Sequence, residues 1–475
     1  MLTRLKVSGF KNLVDVDVRF GAFTCIAGAN GVGKSNLFDA IRFLSALAQM
    51  PLMEAALSIR DGNGKASDVR NLFHRVGDRY VDKMSFEAEM IIPAEGIGDL
   101  GHQIKAINTF VKYSLELGYK KKDTLRFSET LEILKEELIG IDRADPEEKL
   151  QNSHRFIFTQ NEDENRYIQT YIGNSQPRRM DISTLNTTFL SLSELIDNYT
   201  SVLARQEMLG WQLLQLEPSP LRKPNEFIAS NKLGTDGSNL AANFYHLVEK
   251  YYQQDVEKSK HKAEKIEAKV YAQASNRLAE LIDDVDKIWV DRDDRRELLT
   301  LMVQDRYGTV YPASSLSDGT LRFLALTALE LDPDSFRLLC LEEPENGIYP
   351  DRIPKILQLL QDMAVDFEEP IAFDNPLRQV IINTHSPVVV QQVPEDSLLV
   401  ADLEETVVDR QRFKRACFRY LAGTWRDIDS VEGRKSKVIS KGELLSYLNP
   451  VSRRFTDTNS RVIDRPDLQS LLPGN

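Results

Sequence analysis

The segment that most constrains the fold is a glycine-rich stretch near the amino end of the chain. Residues 28–35 read Gly-Ala-Asn-Gly-Val-Gly-Lys-Ser, which matches the phosphate-loop pattern G-x-x-x-x-G-K-[ST]. The apolar run FTCIAG leads into this stretch, and residues 35–50 then place apolar side chains at helical spacing. A strand, a glycine loop and a helix in this order present backbone N–H groups and a positive helix terminus to phosphates. The pattern therefore predicts an α/β fold that binds a nucleotide.

The side chains of this loop have separate expected roles. Lys34 is expected to reach the outer phosphates, and the hydroxyl of Ser35 is expected to ligate magnesium. The nucleotide-binding residues predicted in and beside the loop are Gly28, Asn30, Gly31, Gly33, Lys34, Ser35 and Asn36. A chance Gly-Lys-Ser turn is the competing interpretation, and the flanking strand and helix disfavour it.

Two later strands end in residues with chemistry suited to a bound triphosphate. The apolar run at 338–341 leads into Glu342 and Glu343, and the run at 380–383 leads into His385. A buried strand with this ending can deliver one carboxylate to magnesium and the next to the attacking water. A charged strand edge and a structural histidine are the competing interpretations of the two runs. The phosphate loop in the same chain favours the functional interpretation of both.

The sequence Leu-Ser-Asp-Gly-Thr at 316–320, named the signature loop below, precedes an apolar helix. Taken alone, Ser317 is most simply the N-cap of that helix. Its position between the phosphate loop and the two glutamates favours a further role at the nucleotide.

These elements, in chain order, resemble the ABC-type ATPase heads of the SMC/RecF/overcoming-lysogenisation-defect group. The resemblance rests on G-x-x-x-x-G-K-S, L-S-x-G-x, the apolar strand with Glu-Glu-Pro-Glu, and T-H-S-P, and it covers roughly residues 1–95 and 285–400. It is strongest with the AAA-family ATPases of prokaryotic anti-phage systems, such as PtuA of Septu and AriA of PARIS. The implied fold is an ABC-type ATPase head of the P-loop class, split by a mixed, mainly helical insertion.

The resemblance also implies ligands and residue roles. ATP and Mg²⁺ are the expected cofactors, held between two heads of a homodimer or higher homo-oligomer. Ser317 and Gly319 would complete the site of the opposite protomer, and Lys11 and Asn12 would lie near the nucleotide base. The implied catalytic and metal residues are Glu342 for magnesium, Glu343 as catalytic base and His385 as switch histidine. Glu342 stands where many relatives have Asp, and Gln103 has no supporting motif as the glutamine of the Q-loop.

The predicted organisation divides the chain into four parts. Residues 1–95 and 287–400 form the two parts of the head, 96–286 form the insertion of strands followed by helices, and 401–475 form a C-terminal segment. Charged residues of both signs at 257–269 favour a solvated helix face, with a protruding helical hairpin as the alternative.

Composition excludes several classes of protein. Lys and Arg number 60 against 72 Asp and Glu, a net charge of −12, so the chain is not basic throughout. Its apolar runs fall well short of the ~18 residues that span a bilayer, and its start lacks a signal-peptide pattern. We therefore expect a cytoplasmic protein without membrane contact. The cysteines at 25, 340 and 417 are too few and too far apart for a disulfide framework.

The C-terminal segment contrasts with this acidic balance. Residues 410–441 hold ten bases and three acids, with aromatic residues interleaved. This composition suits DNA or RNA contact, and the alternative is a helix that packs its aromatic side chains inward.

A nuclease centre is not predicted in this chain. Asp427, Asp429 and Glu432 resemble TOPRIM residues, but they occur in the reverse order, which favours a surface loop. We therefore expect a switch that controls a separately encoded effector, a nuclease. A DNA-binding RecF/SMC-like repair or clamp ATPase is the alternative function, and a transporter subunit is disfavoured by the large insertion.

Overall fold

The computed structural model describes residues 1–59, 68–98, 101–121, 129–141, 155–162, 165–170, 178–181, 187–196, 198–254, 260–282, 284–372, 374–408, 411–427 and 438–448. The strands in these residues are, in chain order, β1 (Leu2–Ser8), β2 (Val16–Arg19), β3 (Phe23–Ala27), β4 (Arg75–Val76), β5 (Arg79–Tyr80), β6 (Lys83–Ile91), β7 (Glu95–Ile97), β8 (Gln103–Lys105), β9 (Phe110–Lys121), β10 (Glu129–Gly140), β11 (Arg155–Glu162), β12 (Asn165–Thr170), β13 (Arg178–Asp181), β14 (Trp211–Leu214), β15 (Asn225–Glu226), β16 (Val285–Asp293), β17 (Leu298–Asp305), β18 (Val310–Pro312), β19 (Leu338–Glu342), β20 (Gln379–Thr384), β21 (Leu398–Val408) and β22 (Gln411–Tyr420). The α-helices are α1 (Lys34–Leu47), α2 (Leu52–Leu57), α3 (Tyr199–Leu209), α4 (Pro218–Leu221), α5 (Leu240–Gln254), α6 (Lys260–Leu281), α7 (Asp318–Leu331), α8 (Ile353–Asp362), α9 (Pro387–Gln392) and α10 (Lys441–Leu448).

A six-stranded sheet in the described residues carries the phosphate loop at the end of β3. Its order is β14-β19-β20-β3-β21-β22, and all neighbours are parallel except β21 and β22. The side chains of β3 and β20 are buried throughout, as parallel strands covered on both faces require. The predicted α/β class is confirmed.

The two faces of this sheet belong to different cores. Cys25 and Ala27 of β3 pack into a core with α5–α8, whereas Ile26 packs into the core that contains α1 and the second sheet. Alternation of this kind follows from the period-two pleat of a strand. The thiols of Cys25 and Cys340 are buried and unpaired with another cysteine, and burial raises the pKa of both.

The second sheet has the order β13-β12-β11-β10-β9-β6-β1-β2 among the described residues. Every pair in it is antiparallel. Strand β9 pairs with β6 from Ile91 to Lys83, so the division predicted at residue 95 separates two strands that pair with each other.

The region from 190 to 286 is mainly helical in its described part, as predicted. It also supplies β14, which pairs with β19 and forms one edge of the six-stranded sheet. Helix α6 packs along α7 and β16, and its residues at 264, 265, 267 and 269 are exposed charged side chains. These contacts favour the solvated helix face over the protruding hairpin; residues 255–259 lie outside the described residues.

The basic C-terminal segment begins as a strand. Residues 411–420 form β22, so the alternative of a helix is wrong there. The neighbouring strand β21 is acidic, and Arg415 approaches Glu404 to 3.0 Å while Arg412 approaches Glu405 to 3.8 Å. Phe418 is buried. Residues 410, 429, 432 and 434–437 lie outside the described residues, and nucleic-acid contact by 410–441 stays a prediction.

Helices long and apolar enough to cross a bilayer do not occur in the part of the chain that the structure describes.

Candidate active site

Three parallel strands bring several of the predicted site residues to one edge of the six-stranded sheet. Strands β19, β20 and β3 are neighbours, and Glu342 lies opposite Asn383 while Thr384 lies opposite Ala27. A cleft of about 310 Å³ opens at this edge. Its lining residues are Asn30, Gly31, Gly33, Lys34, Ser35, Asn36, Glu342, Glu343 and Asn383.

The backbone of the phosphate loop requires glycine at two closely packed positions. Gly28 has a φ of 155°, and a Cβ there would lie 2.5 Å from the carbonyl oxygen of Ala401. Gly33 has a φ of 111°, and a Cβ there would lie 2.8 Å from side-chain atoms of Asn12 and Ala416. The loop is therefore held between β21, β22 and the turn after β1.

Lys34 begins α1 and folds back into the loop. Its Nζ donates hydrogen bonds to the carbonyl oxygens of Gly28 at 2.6 Å and Ala29 at 2.9 Å. Burial lowers the pKa of this ammonium group, and the negative charges of Glu343, Glu342 and Glu345 oppose the shift. The lysine is therefore a buried cation whose present acceptors can be exchanged for phosphate oxygens.

Glu343 occupies a strained backbone conformation at the rim of the cleft. Its φ is 47°, in the left-handed region, and its N–H donates to the carbonyl oxygen and Oδ1 of Asn383, both at 3.1 Å. Such a conformation in a non-glycine residue costs of order 1–3 kcal/mol and occurs preferentially at functional sites. The contacts of Asn383 thus fix where the Glu343 side chain emerges.

The carboxylate of Glu343 is held from two sides. Asn346 Nδ2 donates to Oε2 at 2.8 Å, and His385 Nδ1 lies 2.8 Å from Oε1. Burial raises the pKa of this carboxyl group, but the two hydrogen bonds and the charge of Lys34 outweigh it, so the pKa lies below its usual value. Glu343 is therefore ionised and can act as a proton acceptor.

The two residues after β1 have different surroundings. Asn12 Oδ1 accepts a hydrogen bond from Asn36 Nδ2 at 2.7 Å, and its Nδ2 donates to Val32 at 3.4 Å, so this side chain braces the loop. Lys11 instead forms an ion pair with the buried Asp39 of α1. Neither residue lines the cleft, and their contact with a nucleotide base stays a prediction.

Ser317 caps α7 and Gly319 lies on its first turn, and neither residue lines the cleft of its own chain. The Oγ of Ser317 accepts a hydrogen bond from the Thr320 N–H at 3.2 Å, which confirms its role as N-cap. A Cβ on Gly319 would lie 2.8 Å from the carbonyl oxygen of Gly347. The serine is exposed. The action of Ser317 on a second protomer stays a prediction.

Three functional candidates were not assigned by the sequence. Asn383 and Asn346 position Glu343, and Glu345 is buried with its Oε1 bonded to the Thr384 hydroxyl. Burial raises the pKa of Glu345. Glu345 and Asn346 could have been found in the sequence, because they follow Glu343 closely in the run Glu-Glu-Pro-Glu-Asn. Asn383 gives no such signal, since it lies 40 residues from Glu343, whose N–H it binds.

The donor atoms in the cleft suit magnesium. Ser35 offers a hydroxyl oxygen and Glu342 a carboxylate, both hard ligands of the kind that Mg²⁺ prefers. Within the described residues, no group of three or more His, Cys, Asp or Glu side chains is gathered for a metal. Mg²⁺ commonly takes only one or two carboxylates and completes its shell with phosphates and water, so the residues present fit it.

The sequence of residues 23–391 matches the family described as "AAA domain, putative AbiEii toxin, Type IV TA system". The chain belongs to this AAA-domain family. It is therefore an AAA-family ATPase domain protein with a nucleotide-binding P-loop.

The sequence relatives match only a short part of the chain, and the solved structures match most of it at low identity. The AAA-domain protein is 33% identical over 96 residues to the DNA replication and repair protein RecF of Bacteroides thetaiotaomicron, covering 20% of this chain and 22% of that protein. It is 46% identical over 46 residues to the RecF protein of Bacteroides fragilis, covering 10% of this chain and 12% of that protein. These matches span about a fifth or less of the relatives' length.

Among solved structures, an SMC head bound to the C-winged helix domain of ScpA has a TM-score of 0.47 at 12% identity, covering 87% of this chain and 97% of that one. The SMC head domain from Thermotoga maritima has a TM-score of 0.37 at 12% identity, covering 88% and 98%.

Proposed function

We propose that this protein hydrolyses ATP to ADP and phosphate between two copies of its head, and that this cycle controls a separately encoded nuclease in prokaryotic anti-phage defence. The observation that carries the ATPase proposal is the convergence of Lys34, Glu342 and Glu343 on one cleft. The basis for the defence role is the resemblance to anti-phage ATPases, together with the toxin–antitoxin wording of the family description.

Nucleotide binding uses the loop and its lysine. Lys34 exchanges the carbonyl oxygens of Gly28 and Ala29 for phosphate oxygens, while the backbone N–H groups of the loop surround the same phosphates. Ser35 and Glu342 would hold Mg²⁺, which when bound neutralises phosphate charge. Asn12 keeps the loop in place through Asn36.

Hydrolysis uses the carboxylate that Asn346 and His385 hold. Glu343 accepts a proton from the attacking water, and its lowered pKa keeps it in the ionised form required for this step. Because an ionised carboxylate only accepts hydrogen bonds, His385 donates through Nδ1 and fixes the direction of Oε1. His385 thereby orients the base.

The composite site is tested by mixing two inactive variants. Ser317→Arg is expected to damage the signature loop offered to the other protomer, whereas Lys34→Ala damages the protomer's own phosphate loop. A heterodimer of the two variants retains one intact composite site, so ATP turnover of the mixture is expected to recover to about a quarter of wild type if mixing is random and sites are independent. Phosphate release by the equimolar mixture is the measurement.

Co-purification of the two variants through different affinity tags serves as the control for heterodimer formation. If heterodimers form and turnover stays at the level of the separate variants, the site is built within one chain, and the two-head part of the proposal fails.

The effector is tested by separating ATPase from cutting activity. In the described structure Asp427 accepts a hydrogen bond from the Gly423 N–H at 3.1 Å, within a turn, which fits the surface-loop interpretation. The purified protein with ATP and magnesium is therefore expected to leave DNA and RNA uncut, and the product of the neighbouring gene is expected to co-purify with it. Cutting by this chain alone that Asp427→Ala abolishes would contradict the switch.

The local similarity to RecF over 96 residues favours a DNA-binding clamp as the second candidate. That function predicts ATP-dependent DNA binding that weakens with salt and with neutralisation of Arg412, Lys414 and Arg415. The pairing of Arg415 and Arg412 with Glu404 and Glu405 reduces the charge available for this contact. A salt titration with duplex DNA separates the clamp from the effector-controlling switch.

A further inference from the structure

Two buried polar atoms near the site lack hydrogen-bond partners among the described residues. They are Nε of Arg322, on α7 one turn after Ser317, and Oε2 of Glu345, which follows the catalytic base candidate by two positions. Leaving a buried polar atom unpaired costs about 1–3 kcal/mol, and more for charged groups. Contact between these two groups of opposite charge would give both atoms a partner.

The other carboxylates that act on Arg322 already have hydrogen-bond or ion-pair partners. Asp318, the nearest acid on α7, forms an ion pair with Arg222, which also donates to the Leu316 carbonyl oxygen at 3.0 Å. Glu343 is held by Asn346 and His385, as described above. Burial lowers the pKa of Arg322, and the charges of Asp318, Glu345 and Glu343 oppose this shift, so all three carboxylates act on the guanidinium. Glu345 is the one of the three with a buried, unpaired oxygen.

The elements that carry the two residues touch directly. Residues 343–348, named the acid loop here, follow β19 and contain both Glu343 and Glu345. The first turn of α7 packs against this loop at Gly347 and Ile348. The contact is so close that a Cβ on Gly319 would not fit. A shift of the signature loop therefore moves Arg322 relative to the acid loop.

Glu345 is also linked to the histidine strand. Its Oε1 accepts from the Thr384 hydroxyl, and the same hydroxyl accepts from the Ser386 N–H at 2.9 Å. His385 lies between these two residues. A new contact at Glu345 Oε2 would thus act on both Glu343 and His385, the residue that orients it.

We propose that Arg322 and Glu345 close into an ion pair when ATP is bound between two heads, and that this pair couples the signature loop to the orientation of Glu343. The inference rests on the proposed two-head ATPase. Arg322 and Glu345 are positioning residues, because neither lines the cleft and both act through Glu343. The pair makes the orientation of Glu343 in one site depend on whether the signature loop of the same chain is bound at the other site.

The test is a double-mutant cycle on turnover. Glu345→Gln keeps size and removes charge, whereas Arg322→Gln removes charge and shortens the side chain. Each is expected to lower kcat about 10-fold or more, because a small misplacement of the reacting groups is costly. Affinity for a fluorescent ATP analogue is expected to stay within about 2-fold, since Lys34 and the loop supply binding. The double variant is expected to lose no more than the worse single variant, since both changes remove one pair.

The matched control is Arg277→Gln, which removes an arginine paired with Glu330 at the other end of α7. Its effect on kcat is expected to be small and to multiply with that of Glu345→Gln. Retained analogue affinity shows that each variant is folded, and Arg322→Lys, which restores the charge, is expected to recover part of the lost kcat.

The possible outcomes have distinct meanings. Wild-type protein without turnover contradicts the proposed function and the inference with it. Wild-type turnover with multiplicative losses in the double variant, or with losses confined to analogue affinity, overturns the Arg322–Glu345 pair alone.

Discussion

Glu343→Gln is expected to bind ATP as tightly as wild type and to lose turnover by at least ~100-fold, the usual effect of removing a general base. Glutamine keeps the size of the side chain and leaves Lys34, Ser35 and the loop untouched. It cannot take the proton of the water, and its NH₂ group would meet a donor, Asn346 or His385, where Glu343 now accepts from both. Phosphate release and titration with a fluorescent ATP analogue measure the two properties separately.

The exposed Glu395→Gln, remote from the cleft, is the control for a Glu-to-Gln change. Near-normal kcat in Glu343→Gln would remove Glu343 as the base. The pH profile adds a second check, because the pKa of Glu343 is lowered in the folded protein by its hydrogen bonds and by Lys34. Protonation of this base should therefore reduce kcat only at pH values below the ordinary pKa of a glutamate, and the hydrogen bonds it accepts should weaken over the same range.

Lys34→Ala is expected to abolish tight ATP binding. The change removes the buried cation that the phosphates require, and it leaves the Gly28 and Ala29 carbonyl oxygens without their donor. Loss of a charge-assisted contact of this kind costs roughly 1.5–3 kcal/mol for each hydrogen bond to a charged group. With several such bonds to phosphate, affinity should fall by two orders of magnitude or more.

Thermal unfolding with and without ATP provides a measurement that does not depend on turnover. Ligand at 100 times its Kd stabilises a folded protein by about 2.7 kcal/mol, so wild type should show a clear rise in Tm. Lys34→Ala should show none, whereas the exposed Lys287→Ala should respond as wild type does. An equal rise in Tm for Lys34→Ala would show that the nucleotide does not bind at this loop.

The parts of the site that the sequence predicts are those whose chemistry is local. The phosphate loop, with Lys34 and Ser35, is a contiguous motif, and Glu342 and Glu343 stand at the end of an apolar strand. Parallel strands end at the same edge of a sheet, so the separate motifs were expected to meet, and the cleft contains residues of both.

Residues that act through distant contacts were not predictable in this way. Asn383 is 40 residues from Glu343 in sequence, and only the pairing of β19 with β20 makes it the acceptor of the Glu343 N–H. Lys11 and Asn12 look equivalent in sequence, yet one binds Asp39 and the other binds Asn36. The direction of a side chain after a turn depends on the backbone, and Lys11 has a φ of 49°.

The partners of the basic residues in the C-terminal segment were not predictable from the sequence either. Its excess of bases was visible in the sequence, but Glu404 and Glu405, the partners of Arg415 and Arg412, lie on the neighbouring antiparallel strand. The domain division at residue 95 stays a prediction. The pairing of β9 with β6 across it could not be read from the sequence, because strand pairing across the intervening β7 and β8 leaves no local mark on composition.

The hydrogen bonds of Lys34 within its own loop have a consequence for selectivity. In this conformation the ammonium group already holds two carbonyl oxygens, so a ligand gains from Lys34 only what exceeds those two contacts. A nucleoside brings no oxygen of sufficient charge to displace them, whereas a polyphosphate brings several. These two hydrogen bonds thus set a threshold that discriminates among small molecules by phosphate content before any base is recognised.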